Sequence, residues 1–207
     1  MEESRFEQQI RFVVEVDRLK TILRRTLLTD RSRRENSAEH SWHVALMATL
    51  LVEHAGAAVD LARVIEMLLV HDIVEIDAGD TFAYDAAGNA SKVARERAAA
   101  DRLFGLLPPD QGRRLRVLWE EFEDGTSAEA RYAIALDRLQ PLLQNVRAAG
   151  GAWRSHGVTR EQVLERMQPI RAISDALWDW VVQQIDTVWI NGRIRHLEDL
   201  ADLSRSD

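Results

Sequence analysis

Apolar residues recur at helical spacing through most of the chain. Phe6, Ile10, Val13, Val14, Leu19 and Ile22-Leu23 predict an opening helix that runs to about Leu28. The stretch from Thr29 to Glu35 is too polar for core and reads as a loop. Asn36 followed by Glu39 has the spacing of a helix start, and His40, Val44, Met47 and Leu51 then lie along one stripe before Gly56. With Asp60 as cap, the next helix places Leu61, Val64, Leu68, His71 and Glu75 on one face, so two polar side chains continue an apolar stripe. The segment 77–89 carries two glycines, Thr81 and Asp85, and reads as a loop leaving that end of the helix. Ser91 is placed to cap a helix over 92–107, which Pro108-Pro109 stops, and Asp110 to start another through Trp119 and Phe122. Thr126 with Glu129 has the pattern of a capping box for a helix over 127–149, in which Ala130, Ile134, Asp137 and Pro141 share a face. After a connection over 153–158, Thr159 with Gln162 repeats the capping pattern, and Ile173, Leu177, Trp180, Val181, Ile185 and Val188 mark a last amphipathic helix. No strand-length alternation competes. The expectation is an all-α bundle of roughly eight helices in one domain over 1–207, with a core at about 15–150 and a helical extension over 151–195.

Composition narrows the chemistry. The 207 residues include no cysteine, which excludes disulfides and thiolate metal sites. A net charge of -7 argues against a nucleic-acid polymer as partner, although Arg24, Arg25, Arg31, Arg33 and Arg34 form a local cluster able to hold one phosphate. The longest apolar run, Val44 to Val52, is too short to span a bilayer, and the first residues lack a secretory pattern. A cytoplasmic protein without a membrane partner is expected.

Three helices thus deliver inward polar groups: His40, the adjacent pair His71-Asp72, and Asp137. Buried imidazoles and carboxylates are costly unless partnered, and a bound cation partners both. Two imidazoles and two carboxylates suit one divalent transition metal ion, Mn, Co, Fe, Ni or Zn, better than a calcium cage. Such an ion with open positions lowers the pKa of bound water towards ~7 and polarises a phosphoryl oxygen, which is hydrolytic chemistry. Taken singly, each residue has a plainer reading: His40 as an ordinary core histidine, Asp137 as half of a buried ion pair, Arg25 as a solvated cation.

The order His40, His71-Asp72, Asp137 resembles the HD superfamily of metal-dependent phosphohydrolases. The resemblance is closer over about 15–150, where Arg25, Glu35-Asn36-Ser37-Ala38-Glu39-His40, His71-Asp72 with Glu75 and Gly79-Asp80, and Asp137-Arg138-Leu139 are similar to the bacterial 5'-deoxynucleotidase branch. That resemblance implies His40, His71, Asp72 and Asp137 as metal ligands. It also implies Glu75 as the group that orders or deprotonates the attacking water, Asp80 beside the leaving group, and Arg25 on the phosphate. Thr26 stands where that branch has a tryptophan implicated in selecting deoxyribose. Members with two metals need further histidines between the HD pair and the last aspartate, and 73–136 has none, so a single ion is expected. The implied substrate is a small phosphomonoester, with a nucleoside 5'-monophosphate leading. The alternative is a non-catalytic HD-type protein that binds a nucleotide or partner around a structural metal. Leu177, Trp178, Trp180, Val181, Val188 and Trp189 on the last helix suggest a homodimer.

Overall fold

A computed structural model describes residues 3–203, with side chains placed over 3–190 apart from Ala86. The chain runs through α1 (Arg5–Val16), β1 (Leu23–Leu27), β2 (Arg34–Asn36), α2 (Ser37–Leu50), α3 (Leu61–Val70), α4 (Glu75–Ala78) and α5 (Ala86–Phe104). It continues through α6 (Pro109–Asp124), α7 (Ala128–Arg147), α8 (Gly151–Ser155), α9 (Arg160–Arg166), α10 (Gln168–Ile173) and α11 (Asp175–Leu203). The all-α expectation holds, with the short α4, α8, α9 and α10 accounting for more helical pieces than the eight expected. Among the described residues no helix is long and apolar enough to cross a membrane.

The first departure from expectation is at the start. Ser4 and Glu7 form a capping box for α1, but the helix ends at Val16, passes through a 3-10 turn and gives way to a strand. The apolar stripe of α1 has no core behind it: Phe6 is 69%, Val13 65% and Val14 66% exposed. Phe12 is buried instead, and polar bonds hold the helix, with Arg5 donating to Asp110 at 2.7 Å and Gln9 to Gln111 at 2.9 Å. Downstream, Asp30 accepts from the Ser32 amide and Arg31 adopts φ 64°, which turns the chain so that β1 and β2 pair antiparallel. The pairing partners are Leu23 with Asn36 and Leu27 with Arg34, so β1 bulges between them. The Arg34 guanidinium answers the bulge by donating to the Leu23 and Arg24 carbonyls. Within β1 the alternation sends Arg24 and Thr26 inward and leaves Leu23 and Arg25 exposed.

The central helices follow their periodicities more closely. Asn36 and Glu39 cap α2 reciprocally, and Asp60 caps α3. Val44 and Ala48 on α2, Val64 and Leu68 on α3, and Ala130, Ala133 and Leu136 on α7 are fully buried where these helices pack together. Tyr132 donates its hydroxyl to the Ala48 carbonyl at 3.0 Å inside that core. Two caps fall elsewhere than expected. Asp85, not Ser91, caps α5 by accepting from the Gly88 amide, and Asn89 secures the early start by donating to the Asp85 carbonyl. Ser127, not Thr126, caps α7, and the helix continues through Pro141 to Arg147. The stretch expected as a connection opens with the single turn α8, whereas the Thr159–Gln162 capping box forms at α9 as its spacing indicates. On α11, Val181, Ile185 and Val188 are buried and Trp189 packs on Trp153, so most of its apolar face is used within the chain.

Candidate metal centre

His40 sits one turn into α2 on the buried stripe and is fully enclosed. His71 follows the last residue of α3, where its Nδ1–H donates to the Leu68 carbonyl at 2.8 Å and turns Nε2 towards α2 and α7. The backbone then tightens: Ile73 N–H reaches the Val70 carbonyl and Glu75 N–H the Asp72 carbonyl, at 3.1 and 3.0 Å. These i to i+3 closures bring His71, Asp72 and Glu75 onto the buried side together. Gly79, at φ 74°, ends α4 and turns the chain into the loop that carries Asp80.

The donor atoms converge. His40, His71 and Asp72 each offer one atom within 4.8 Å of the others. Asp137 Oδ1 lies 2.9 Å from His40 Nε2 and 3.7 Å from His71 Nε2, while Asp72 Oδ1 lies 3.1 Å from His71 Nε2. His71 Nε2 is buried and makes no hydrogen bond of good geometry, although two carboxylates face it. An imidazole nitrogen whose neighbours are carboxylate oxygens calls for a positive centre between them, and this set of borderline-hard donors fits a divalent transition metal ion. Burial opposes protonation of the His71 imidazole, but Asp72 and Asp137 outweigh it and push its pKa up to about 9.

Around the donors lies a second layer of charge. Arg24, 13% exposed in its side chain, donates to Asp72 Oδ2 at 2.8 Å and stands 4.0 Å from Glu75 Oε1. Burial opposes the charge on this guanidinium, but Asp72, Glu75, Asp80 and Asp137 outweigh it and raise its pKa. Ser37 donates its hydroxyl to Glu75 Oε2 at 2.5 Å. Burial and then the Asp72 charge hold the Glu75 carboxyl well above the usual range, against Arg24 and Ser37. Burial likewise raises Asp80, with Arg24 opposing. Asp137 goes the other way: burial would raise it, but Arg138, the imidazole of His40 and that of His71 hold it well below. Acids of opposite tendency thus flank one centre.

Comparison with known proteins decides the family. The HD-domain family matches residues 16–178, most of the chain. This is an HD-domain protein. A crystal structure of a predicted metal-dependent phosphohydrolase from Magnetospirillum magnetotacticum is 57% identical, covers 92% of this chain and 95% of that one, and superposes with a TM-score of 0.88. Human 5'-deoxynucleotidase HDDC2 is 33% identical over 112 residues, and the bovine protein 35% over 111 residues. Those matches take in 54% and 53% of this chain, and the chain spans about half the length of either relative, 53% and 52%. An HD-domain phosphohydrolase from Listeria innocua, 16% identical with a TM-score of 0.58 over 88% of this chain and 86% of that one, shares the fold.

In this HD-domain protein the sequence-predicted residues fall into two groups. His40, His71 and Asp72 converge, Asp137 adjoins the two imidazoles, and Glu75 is buried beside Asp72 and Arg24. Asp80, Arg25 and Thr26 line an adjoining cleft of about 100 Å³, together with Arg24, Tyr84, Asp137, Arg138, Trp153 and Arg166. Arg25 is exposed at that cleft, and it is Arg24 whose guanidinium reaches the centre. Thr26 is buried, its hydroxyl 3.5 Å from Glu35 Oε2. The sequence offered Arg24 only as one of a basic cluster and Glu35 and Ser37 only as part of a motif, and gave Gln140 and Gln144 no part. Glu35, 2% exposed, accepts from the Gln140 and Gln144 amides at 2.6 Å each, and His43 faces the same Gln140 amide at 3.2 Å. A usable signal existed: Gln140 lies three residues beyond Asp137 and His43 three beyond His40, each on its neighbour's helical face.

Proposed function

We propose that the protein is a metal-dependent phosphomonoesterase that releases phosphate from a small molecule, with a nucleoside 5'-monophosphate as the leading substrate. His40, His71, Asp72 and Asp137 would hold one divalent transition metal ion. When bound, that ion supplies a polarised phosphoryl oxygen and a water of lowered pKa. Glu75 is the base that takes the proton from the attacking water, and the Ser37 hydroxyl fixes its rotamer. Arg24, paired to Asp72 Oδ2, leaves the other Asp72 oxygen turned to the donor cluster and offsets the crowding of carboxylates. Asp80 lines the cleft and would act on the leaving oxygen. Arg25 binds the substrate phosphate at the mouth, and Thr26 forms part of the wall beside it.

The observation that carries the proposal is Glu75: a buried carboxyl of raised proton affinity, held by Ser37 at 2.5 Å beside the donor set, which a purely structural metal does not need. The names of the human and bovine relatives point to nucleotides as the substrate class. The test is phosphate release from AMP and dAMP by protein loaded with Mn²⁺ or Co²⁺. Glu75→Gln should retain the metal and lose about 10²–10⁴-fold in turnover, the usual share of a general acid–base group. Unchanged turnover with metal retained would remove Glu75 from the mechanism, and inactivity of the wild type on all phosphomonoesters would leave the non-catalytic reading.

A homodimer and a cytoplasmic location belong to the same proposal. Among the described residues, exposed apolar side chains lie on α1, with Phe6, Ile10, Val13 and Val14, and on α2, with Trp42, Leu46 and Leu50, as well as at Trp180 and Ile190 of α11. A polar-anchored helix that turns its apolar stripe outward is suited to pairing with a second copy.

A further inference from the structure

Gln140 lies behind His40, on the opposite side of the imidazole from the metal donors. Its amide is committed at both ends. Nε2 donates to Glu35 Oε1 at 2.6 Å and faces His43 Nδ1 at 3.2 Å, which leaves Oε1 for His40 Nδ1 at 3.0 Å. A carbonyl oxygen can only accept, so Nδ1 carries a proton, and Nε2, 2.9 Å from Asp137 Oδ1, is the nitrogen left to offer its lone pair when a metal displaces the proton shared with that carboxylate. Glu35 sets the sense of the amide. Its Oε1 already receives an N–H from Gln144 at 2.6 Å and acts there as an acceptor, so it takes the amino end of Gln140 and not the carbonyl end. A flipped amide would oppose two acceptor oxygens at Glu35 and offer an N–H to His40 Nδ1. That arrangement favours the tautomer protonated at Nε2, where a proton blocks the metal. No water can substitute, since His40 and Gln140 are fully buried and Glu35 is 2% exposed.

We infer that Glu35 and Gln140 are positioning residues that hold His40 in the metal-binding tautomer, a relay of carboxylate, amide and imidazole ending at the ion. The inference rests on His40 being a metal ligand. The other Glu35 oxygen lies 3.5 Å from Thr26 Oγ1 and 3.8 Å from Arg24 Nε, so the same carboxylate ties the hairpin to α7 and to the centre. Relays of this type orient metal-bound histidines generally, and their loss typically weakens metal affinity about 10–100-fold.

The test uses the full chain, stripped of metal and titrated with Co²⁺ while its visible absorption is recorded. Gln140→Met keeps side-chain length and removes both halves of the amide. Because Glu35 and His40 each lose a buried hydrogen bond, it should melt below the wild type without metal, bind Co²⁺ about 10–100-fold more weakly and show an altered cobalt spectrum. The exchange Glu35→Gln with Gln140→Glu restores a donor at 35 and an acceptor facing His40, and should return affinity to within about threefold of wild type. Gln140→Met with affinity within about twofold and an unchanged spectrum would overturn the inference, as would an exchange variant no better than Gln140→Met. If Gln140→Met does not fold, the exchange alone decides, and a loss greater than about tenfold overturns the inference. A wild-type protein that binds no Co²⁺ would overturn the reading of the centre itself, an outcome distinct from equal binding by both proteins.

Discussion

Replacing Arg24 by Met keeps the aliphatic stem and deletes a guanidinium whose Nη1 lies 2.8 Å from Asp72 Oδ2 and 4.0 Å from Glu75 Oε1. Both carboxylates stay buried, and removing one partner of a buried ion pair costs about 3–5 kcal/mol because the other is left uncompensated. At about 2–4 °C per kcal/mol for a domain of this size, the metal-free protein should melt about 6–20 °C lower. A bound divalent ion supplies replacement charge at Asp72, so the deficit should shrink at saturating Mn²⁺. Arg25→Met provides the control: its side chain is exposed on the other face of the strand, and its effect on stability should stay within about 0.5 kcal/mol. Scanning calorimetry in EDTA and again in Mn²⁺ separates the four cases. Equal losses for the two substitutions, or a metal-free Arg24→Met protein within about 1 kcal/mol of wild type, would refute the assignment of Arg24 as the buried counter-charge.

Elemental analysis should find close to one divalent ion per chain, and both His71→Ala and Asp137→Ala should lose it, since each removes a donor from the convergent set. Two tightly held ions, or full occupancy in either variant, would contradict a mononuclear centre. Steady-state kinetics on AMP and dAMP with one metal should differ by less than about tenfold in kcat/KM, because Thr26 leaves room where a large ring would exclude a 2'-hydroxyl. Strong preference for dAMP would show that Thr26 is not the determinant. Light scattering at micromolar concentration should give a dimeric mass that Val13→Glu shifts to monomer, and a monomeric wild type would remove the proposed role of the α1 stripe.

The buried cluster of His40, His71, Asp72 and Asp137 was legible because a polar group interrupts a helical stripe. His71 and Glu75 follow Val64 and Leu68 at regular spacing and Asp137 follows Ala130, and all are buried, although α3 ends at Val70 and tighter turns rather than one continuous helix carry His71 and Glu75 inward. The hairpin was not legible. Leu19, Ile22 and Leu23 continue the spacing of α1, and a strand of five residues is too short to show an alternation that outweighs it. Its two adjacent arginines are alike in composition, so only the direction of the strand's side chains tells Arg24 from Arg25. Glu35 was hidden for a related reason: it sits in a run of charged residues that reads as solvated, and its burial depends on Gln140 and Gln144 more than a hundred residues away in the chain.

The bulged strand makes the cleft depend on parity. A slip of one residue in β1 would bring Arg25 to the place of Arg24 and Leu27 to that of Thr26, since neighbours in a strand point to opposite faces. Charge beside Asp72 would survive such a slip, while the hydroxyl facing Glu35 would become an isobutyl group. A single residue deleted ahead of Arg24 is therefore a change that a tally of charges would miss and that the wall of the cleft would register. Two deleted residues restore the facing of every side chain. Drift in the length of the segment between α1 and β1 should accordingly be tolerated in steps of two, with odd steps altering what the cleft accepts before they alter whether the centre holds together.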